Sequence, residues 1–182
     1  RPASADGLAI PLGVGADRRV VWRSLSQMYS LLVAGTTGGG KSNEINAMIC
    51  ALLRHNSPRK LRLVLVDLKG GVEFSFFQGV PHVESIIEQR EAVIPALRRL
   101  ITDGEARLEK LKAERVKNIG EYNFHNRSRP MPHIVVVIDG WADMKLAAEG
   151  KEAEELLINI SSRFRAVGIH IVLCTQVPNK DV

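Results

Sequence analysis

Four short stretches of the chain, residues 31–34, 61–66, 134–138 and 169–174, are nearly unbroken runs of apolar side chains. An alternating pattern would mark a strand with one wet face, whereas continuous runs of this length predict strands buried on both faces, as in a parallel sheet covered by helices. Between the runs the apolar positions recur at helical spacing. A first helix is predicted from Lys41 to about Arg54, with Pro58 beyond its end, where a helix cannot continue. The longest carries Val93, Ile94, Leu97, Leu100, Ile101, Leu108 and Leu111, interleaved with Arg98, Arg99, Asp103, Glu105, Glu109 and Lys110. That spacing predicts an amphipathic helix. A third, over about residues 152–166, is acidic at its start and carries Arg163 and Arg165 at its end, which complements the helix dipole. Strands alternating with helices predict an α/β fold, with a mostly parallel central sheet, helices on both faces and right-handed crossovers. Residues 1–30, with Gly7, Gly13, Gly15, Pro2 and Pro11, read as an entry segment with an edge hairpin near Val20 and Val21, ahead of a domain over 31–182.

Composition narrows this picture. The chain has 182 residues, 45% of them hydrophobic and 25% charged, and its mean hydropathy is -0.02. Disorder, collagen and coiled coil are poor fits to those values, and a chain of this size buries a sizeable core without staples. Lys plus Arg number 25 against 20 acids, a formal charge of +5, which permits a polyanionic partner without demonstrating one. Arg54, Arg59, Lys60 and Arg62, and separately Arg127 and Arg129, read as solvated turns or weak phosphate contacts. Cys50 and Cys174 lie in apolar runs and are expected to be buried free thiols, which suits a reducing, cytoplasmic setting. The opening Arg1-Pro2-Ala3-Ser4 does not resemble a secretory signal, and no apolar run approaches the roughly 18 residues of a membrane span. Histidines 55, 82, 125, 133 and 170 keep no metal-ligand spacing.

Candidate chemistry lies in Gly35-Thr36-Thr37-Gly38-Gly39-Gly40-Lys41-Ser42, which satisfies G-x-x-x-x-G-K-[ST] directly after a predicted strand and before a predicted helix. Glycines let the backbone curl so that its N–H groups cradle phosphates at a helix N-terminus. Lys41 would reach the β- and γ-phosphates of ATP and Ser42 would ligate Mg²⁺, with Asn43 completing the nucleotide-binding set. A carboxylate at the C-terminal edge of a parallel strand should accompany the loop. Residues 134–138 end in Asp139, a second Mg²⁺-side candidate, while residues 63–66 end in Asp67 in the same form. Asp139 is preferred, because the long helix precedes it and another strand follows. Asp67 keeps the alternative of a turn or cap residue.

From residue 31 onward the chain resembles the RecA-like P-loop motor domain of the FtsK/SpoIIIE family of DNA translocases. The residues that carry the resemblance are the loop, with Asn46-Ala47-Met48 after it, then Val66-Asp67-Leu68-Lys69 and Gly79-Val80-Pro81-His82. Asn118-Ile119-Gly120-Glu121-Tyr122-Asn123, residues 134–139 with Ala142-Asp143, and residues 165–176 follow in the same order. The resemblance implies a self-assembled ring, usually a hexamer, that hydrolyses ATP between subunits and moves double-stranded DNA. It implies Walker A roles for Lys41 and Ser42, the Walker B role for Asp139, and γ-phosphate sensing by Gln176. Arg165 falls at the family's arginine finger, acting on a neighbouring subunit, or is an ordinary helix-end cation.

The resemblance breaks at Gly140, where the family carries the glutamate that polarises the attacking water. Glycine cannot act as a base, so ATP binding with impaired hydrolysis is expected, Asp143 being a badly placed substitute. Tyr29-Ser30 and Val177 also depart from the family's Pro-His and arginine. Members continue past the fourth core strand with DNA-touching loops, so an incomplete C-terminus is expected, with no membrane contact from this stretch and any membrane anchor placed elsewhere in a longer protein. A second reading is a degenerate ATPase module of the type VII secretion kind, whose cargo is protein.

Overall fold

The computed structural model describes residues 7–36 and 38–176. The strands are β1 (Ala9–Val14), β2 (Val20–Ser24), β3 (Ser30–Ala34), β4 (Leu61–Asp67), β5 (Val83–Ile87), β6 (His133–Asp139) and β7 (Ile169–Thr175). The helices are α1 (Lys41–His55), α2 (Val93–Ala113), α3 (Ile119–His125), α4 (Trp141–Lys145) and α5 (Gly150–Arg163). Five strands form one sheet in the order β3-β7-β6-β4-β5, every pair parallel. The central strand β6 is buried at every residue, which is why its apolar run is unbroken.

Within those runs a period of two still sorts the side chains. Leu61, Leu63, Leu65, Val135 and Val137 join one apolar cluster with Ile45, Met48, Ile49 and Leu52 of α1. Val64, Val66, Ile134, Val136 and Ile138 join the other, with Val93, Leu97 and Leu100 of α2 and Leu157 and Ile160 of α5. Helices therefore cover both faces, as the runs in β4, β6 and β7 predict, but the run at 31–34 is not buried on both faces, because β3 lies at the sheet edge with Leu32 exposed.

Several features depart from the sequence pattern. The fifth strand, β5, was hidden because Glu84 and Ser85 interrupt its apolar residues at the sheet edge. The helices α3 and α4, of 7 and 5 residues, are too short to display a period. The predicted third helix ends at Arg163, and a tight turn over Arg165–Val167 leads through Gly168 at φ 83 into β7. The N-terminal hairpin is β1 paired with β2 in a sheet of its own, not an added edge of the main one. Its Leu8, Ile10 and Leu25 pack into the α1 cluster. Cys50 is exposed on α1, contrary to the expectation of two buried thiols, because its position in the apolar run falls on the outer face of the helix.

The entries to β6 and β7 are tied together from α2. Arg107 is 4% exposed and donates from Nη1 to the carbonyls of Pro132 at 2.7 Å and Val167 at 3.1 Å, while its Nε donates to Asp103 at 3.0 Å. Burial pulls the guanidinium below its usual range, with Asp103 opposing that shift. His133 and His170 meet nearby, Nδ1 to Nε2 at 3.2 Å. Among the described residues no cluster of three metal-ligating side chains occurs.

Close approach between α2 and the segment after α5 depends on one glycine. A Cβ at Gly104 would lie 2.7 Å from the Phe164 ring, itself fully buried. Alanine in a helix interior ordinarily stabilises relative to glycine. Here Gly104→Ala is expected to lower stability by about 1–3 kcal/mol, because a packed ring must move. A urea unfolding midpoint equal to or above that of the parent would contradict this packing.

Candidate nucleotide-binding site

The glycine-rich segment leaves β3 and turns over the C-terminal edge of the sheet. Gly35 donates its N–H to the Thr175 carbonyl at 3.2 Å, and Gly39 donates to the Thr36 carbonyl at 3.0 Å. Gly38 and Gly40 take φ values of 78 and 87, in the left-handed region that favours glycine. A Cβ at either position would meet nothing within 4 Å, so backbone conformation rather than lack of room demands glycine there. Gly40 caps α1 without any side-chain hydrogen bond. The first amides of a 15-residue helix are thus left for an anion, as the loop pattern requires.

Lys41 reaches across to the end of β6. Its Nζ donates to Asp139 Oδ1 in a short charged contact, and Lys69 Nζ stands 3.4 Å from the same oxygen. The Asp139 side chain is 3% exposed, those of Lys41 and Lys69 7% and 25%. Burial by itself lowers the Lys41 pKa, but the Asp139 carboxylate against the ammonium more than offsets it and the net shift is upward. Lys69 moves down, through burial and then the proximity of Lys41, with Asp139 opposing.

Asp67 and Asp139 are register partners on β4 and β6, yet they have different surroundings. Asp67 is fully buried, and its carboxylate accepts the N–H groups of Lys69 at 3.0 Å and Glu73 at 2.7 Å. It therefore braces the turn that follows its strand. Asp139 faces the two lysines instead.

A cavity of about 300 Å³ lies over these groups, lined by Thr36, Gly38, Gly40, Lys41, Ser42, Asn43, Lys69, Glu73, Asp139 and Gln176. Most of the residues singled out in the sequence thus converge. Gly35 and Gly39 shape the loop without lining the cavity, and Thr37 falls outside the described residues. Gly140 sits beside the cavity as the cap of α4 with φ 84. Arg165 is not brought in. It precedes β7, whereas Gln176 follows it, and 7 residues of strand separate the two by roughly 20 Å. Its guanidinium lies 4.4 Å from the centroid of the Tyr29 ring and lines a different cavity of about 580 Å³.

Two further cavity residues, Lys69, within one of the stretches that carry the family resemblance, and Glu73, have no role that the sequence pattern predicts. The available signal was the carboxylate-ended run of β4, which in a parallel sheet delivers its following turn to the same edge as Asp139.

A glycine-rich turn from strand to helix, its lysine meeting an aspartate at the end of the central parallel strand, defines a RecA-like P-loop ATPase fold. The chain belongs to the FtsK/SpoIIIE family, whose model matches residues 3–126 and 124–180. It is 35% identical over 189 residues to the DNA translocase FtsK of Mycobacterium tuberculosis, covering 96% of this chain and 22% of that protein. It therefore spans about a fifth of the length of such relatives. The cytoplasmic domain of the type VII secretion ATPase EccC of Thermomonospora curvata superposes with a TM-score of 0.83 at 29% identity, over 98% of this chain and 22% of that one. The pCW3 conjugation coupling protein TcpA, solved with ATPγS, superposes with a TM-score of 0.81 at 25% identity, over 98% of this chain and 51% of that one. Among the described residues no helix is long and apolar enough to cross a membrane.

Two measurements check the site's construction. Asp67→Ala leaves two buried amide donors without their acceptor and should cost about 2–4 kcal/mol, with Asp67→Asn costing less because one acceptor remains. Denaturant melts that leave the alanine variant at parental stability would refute the bracing role. The Cys174 thiol is pushed up to about 12, first by burial and then by Asp139. The raised value keeps it protonated at lower pH, so at pH 8 only about one part in ten thousand is thiolate. Iodoacetamide at pH 8 should label Cys50 and spare Cys174 until the chain is unfolded, as read by peptide mass spectrometry.

Proposed function

We propose that this chain is the nucleotide-binding core of a ring-forming motor that uses ATP to move double-stranded DNA, with hydrolysis weakened by Gly140. The observation that carries the reading is the convergence of the open α1 amides, Lys41, Ser42 and Asp139 on one cavity. Membership of a family whose relatives include DNA translocases supports the cargo.

Each residue then has a part. Amides of residues 38–42 and Lys41 hold the phosphates, and binding ATP draws the Lys41 ammonium from Asp139 to the β- and γ-phosphates. The Asp139 carboxylate is thereby freed while Lys69 still neutralises it. Ser42 and Asp139 present two hard oxygen donors to the same cavity, a set that suits Mg²⁺, which binds through few protein ligands plus phosphate and water. Those two residues would hold the ion, and its chemistry is neutralisation of phosphate charge. Gln176, at the rim, would sense the γ-phosphate. Arg165, on the opposite edge of the sheet, fits action on a neighbouring subunit's nucleotide, and the stacking on Tyr29 would orient it.

Gly140 bears on the rate. A general base contributes on the order of 10²–10⁴-fold, and a glycine supplies none. Grafting glutamate there is not a clean restoration, because the backbone is at φ 84 and a Cβ would sit 3.2 Å from Leu68 and 3.3 Å from Lys69.

Similarity to EccC favours one second reading, a nucleotide-binding module of a motor whose cargo is protein. The two separate in one experiment. The parent chain should bind a fluorescent ATP analogue with Mg²⁺, Lys41→Ala should weaken binding at least about tenfold, and turnover should be slow but raised by duplex DNA. Stimulation by a signal peptide and not by duplex would favour the protein motor. Undiminished binding in Lys41→Ala would sink both readings.

A further inference from the structure

We infer that Glu73 takes the proton of the attacking water at this site, standing in for the side chain that Gly140 lacks. The inference rests on the ATP-site reading above and adds a catalytic residue to it. Among the described residues lining the cavity, the carboxylates are Asp139 and Glu73. Asp139 is already engaged by two lysines. Glu73 forms no ion pair among the described residues, so its oxygens are left for a water molecule.

Its placement is built rather than incidental. The Glu73 N–H is held by Asp67 Oδ2 at 2.7 Å, and Asp67 is itself fully buried at the end of β4. The loop from Leu68 to Glu73 therefore cannot drift from the sheet edge without breaking a charge-assisted bond inside the protein. The same loop occupies the space that a side chain at residue 140 would enter, since a Cβ there would meet Leu68 Cβ at 3.2 Å and Lys69 Cγ at 3.3 Å. Loss of a side chain at 140 and closure of this loop are thus two sides of one packing arrangement. The Cys174 thiol lies close by: after burial, the charges acting on it are those of Asp139, Lys41, Lys69 and Glu73.

The water oxygen forms a bond to the γ-phosphorus, the bond from that phosphorus to the β–γ bridging oxygen breaks, and the bridging oxygen leaves on ADP. The water proton passes to the Glu73 carboxylate and from there to solvent. Lys69, four residues earlier on the loop, stays on Asp139 and does not compete for the carboxylate.

The test is single-turnover hydrolysis, with the full chain in excess over radiolabelled ATP, Mg²⁺ and duplex DNA present, alongside binding of a fluorescent ATP analogue and thermal unfolding. Glu73→Gln keeps the backbone N–H that Asp67 holds. It should bind the analogue within about threefold of the parent and hydrolyse about 100-fold more slowly, so that the nucleotide recovered from the protein is ATP rather than ADP. Glu73→Asp, which retains a carboxylate, should keep part of the rate. Hydrolysis at the parental rate in Glu73→Gln would overturn the assignment. So would a parent that hydrolyses nothing, or loss of folding or binding in both variants, which would make Glu73 structural. Absence of ATP binding in the parent itself would instead sink the reading on which the inference rests.

Discussion

Asp139 ends a strand that is buried along its whole length, and its own side chain is almost entirely withdrawn from water. A carboxylate so placed costs several kcal/mol unless a cation meets it. Lys41 and Lys69 provide that charge, and they come from two different loops, one after β3 and one after β4. Much of the site follows from this requirement. The glycine-rich turn must hold Lys41 over β6, and the turn after β4 must hold Lys69 there too. Lys41 is therefore held facing inward over the cavity.

The neighbouring aspartate shows how one strand ending serves two ends. Asp67 is as deeply buried as Asp139 and lies opposite it in register, but backbone amides rather than cations satisfy it. Amide donors fix a turn more closely than a flexible lysine would, since they have no rotamers to lose. The rigid turn delivers Lys69 and Glu73 side by side to the cavity. Gly140, across from it, accepts a left-handed backbone that starts α4 and leaves that turn room to close. Charge balance on β6 and backbone bracing on β4 are thus parts of one arrangement.

The two edges of the sheet have separate tasks. The C-terminal edge gathers the phosphate loop, both aspartates and Gln176, as open parallel sheets generally do. The N-terminal edge is tied by Arg107 to the entries of β6 and β7, and it carries Arg165 against Tyr29. Within one chain a strand's length keeps Arg165 from the cavity. Any contact it made with a bound nucleotide would therefore be with that of another copy of the chain.

Much of this was legible beforehand. Continuous apolar runs identified four of the five strands of the main sheet: in the inner strands β4, β6 and β7 burial on both faces leaves little place for a polar residue, whereas β3 is apolar yet half exposed at the sheet edge, and the long amphipathic period identified α2. The glycine-lysine-serine pattern located the loop, because φ values that suit glycine and a helix N-terminus are local properties of the backbone. By itself, then, the sequence determined the parallel α/β layering, the glycine-rich loop and the presence of a strand-end carboxylate beside it. Only the tertiary structure decided which aspartate meets the lysines, that Lys69 and Glu73 share the cavity, that β5 closes the sheet and that Arg165 stands on the far edge. Those outcomes depend on strand order and on how a turn is braced from a neighbouring strand, and contacts between residues 70 or more positions apart, such as Lys69 and Asp139, leave no periodic trace along the chain.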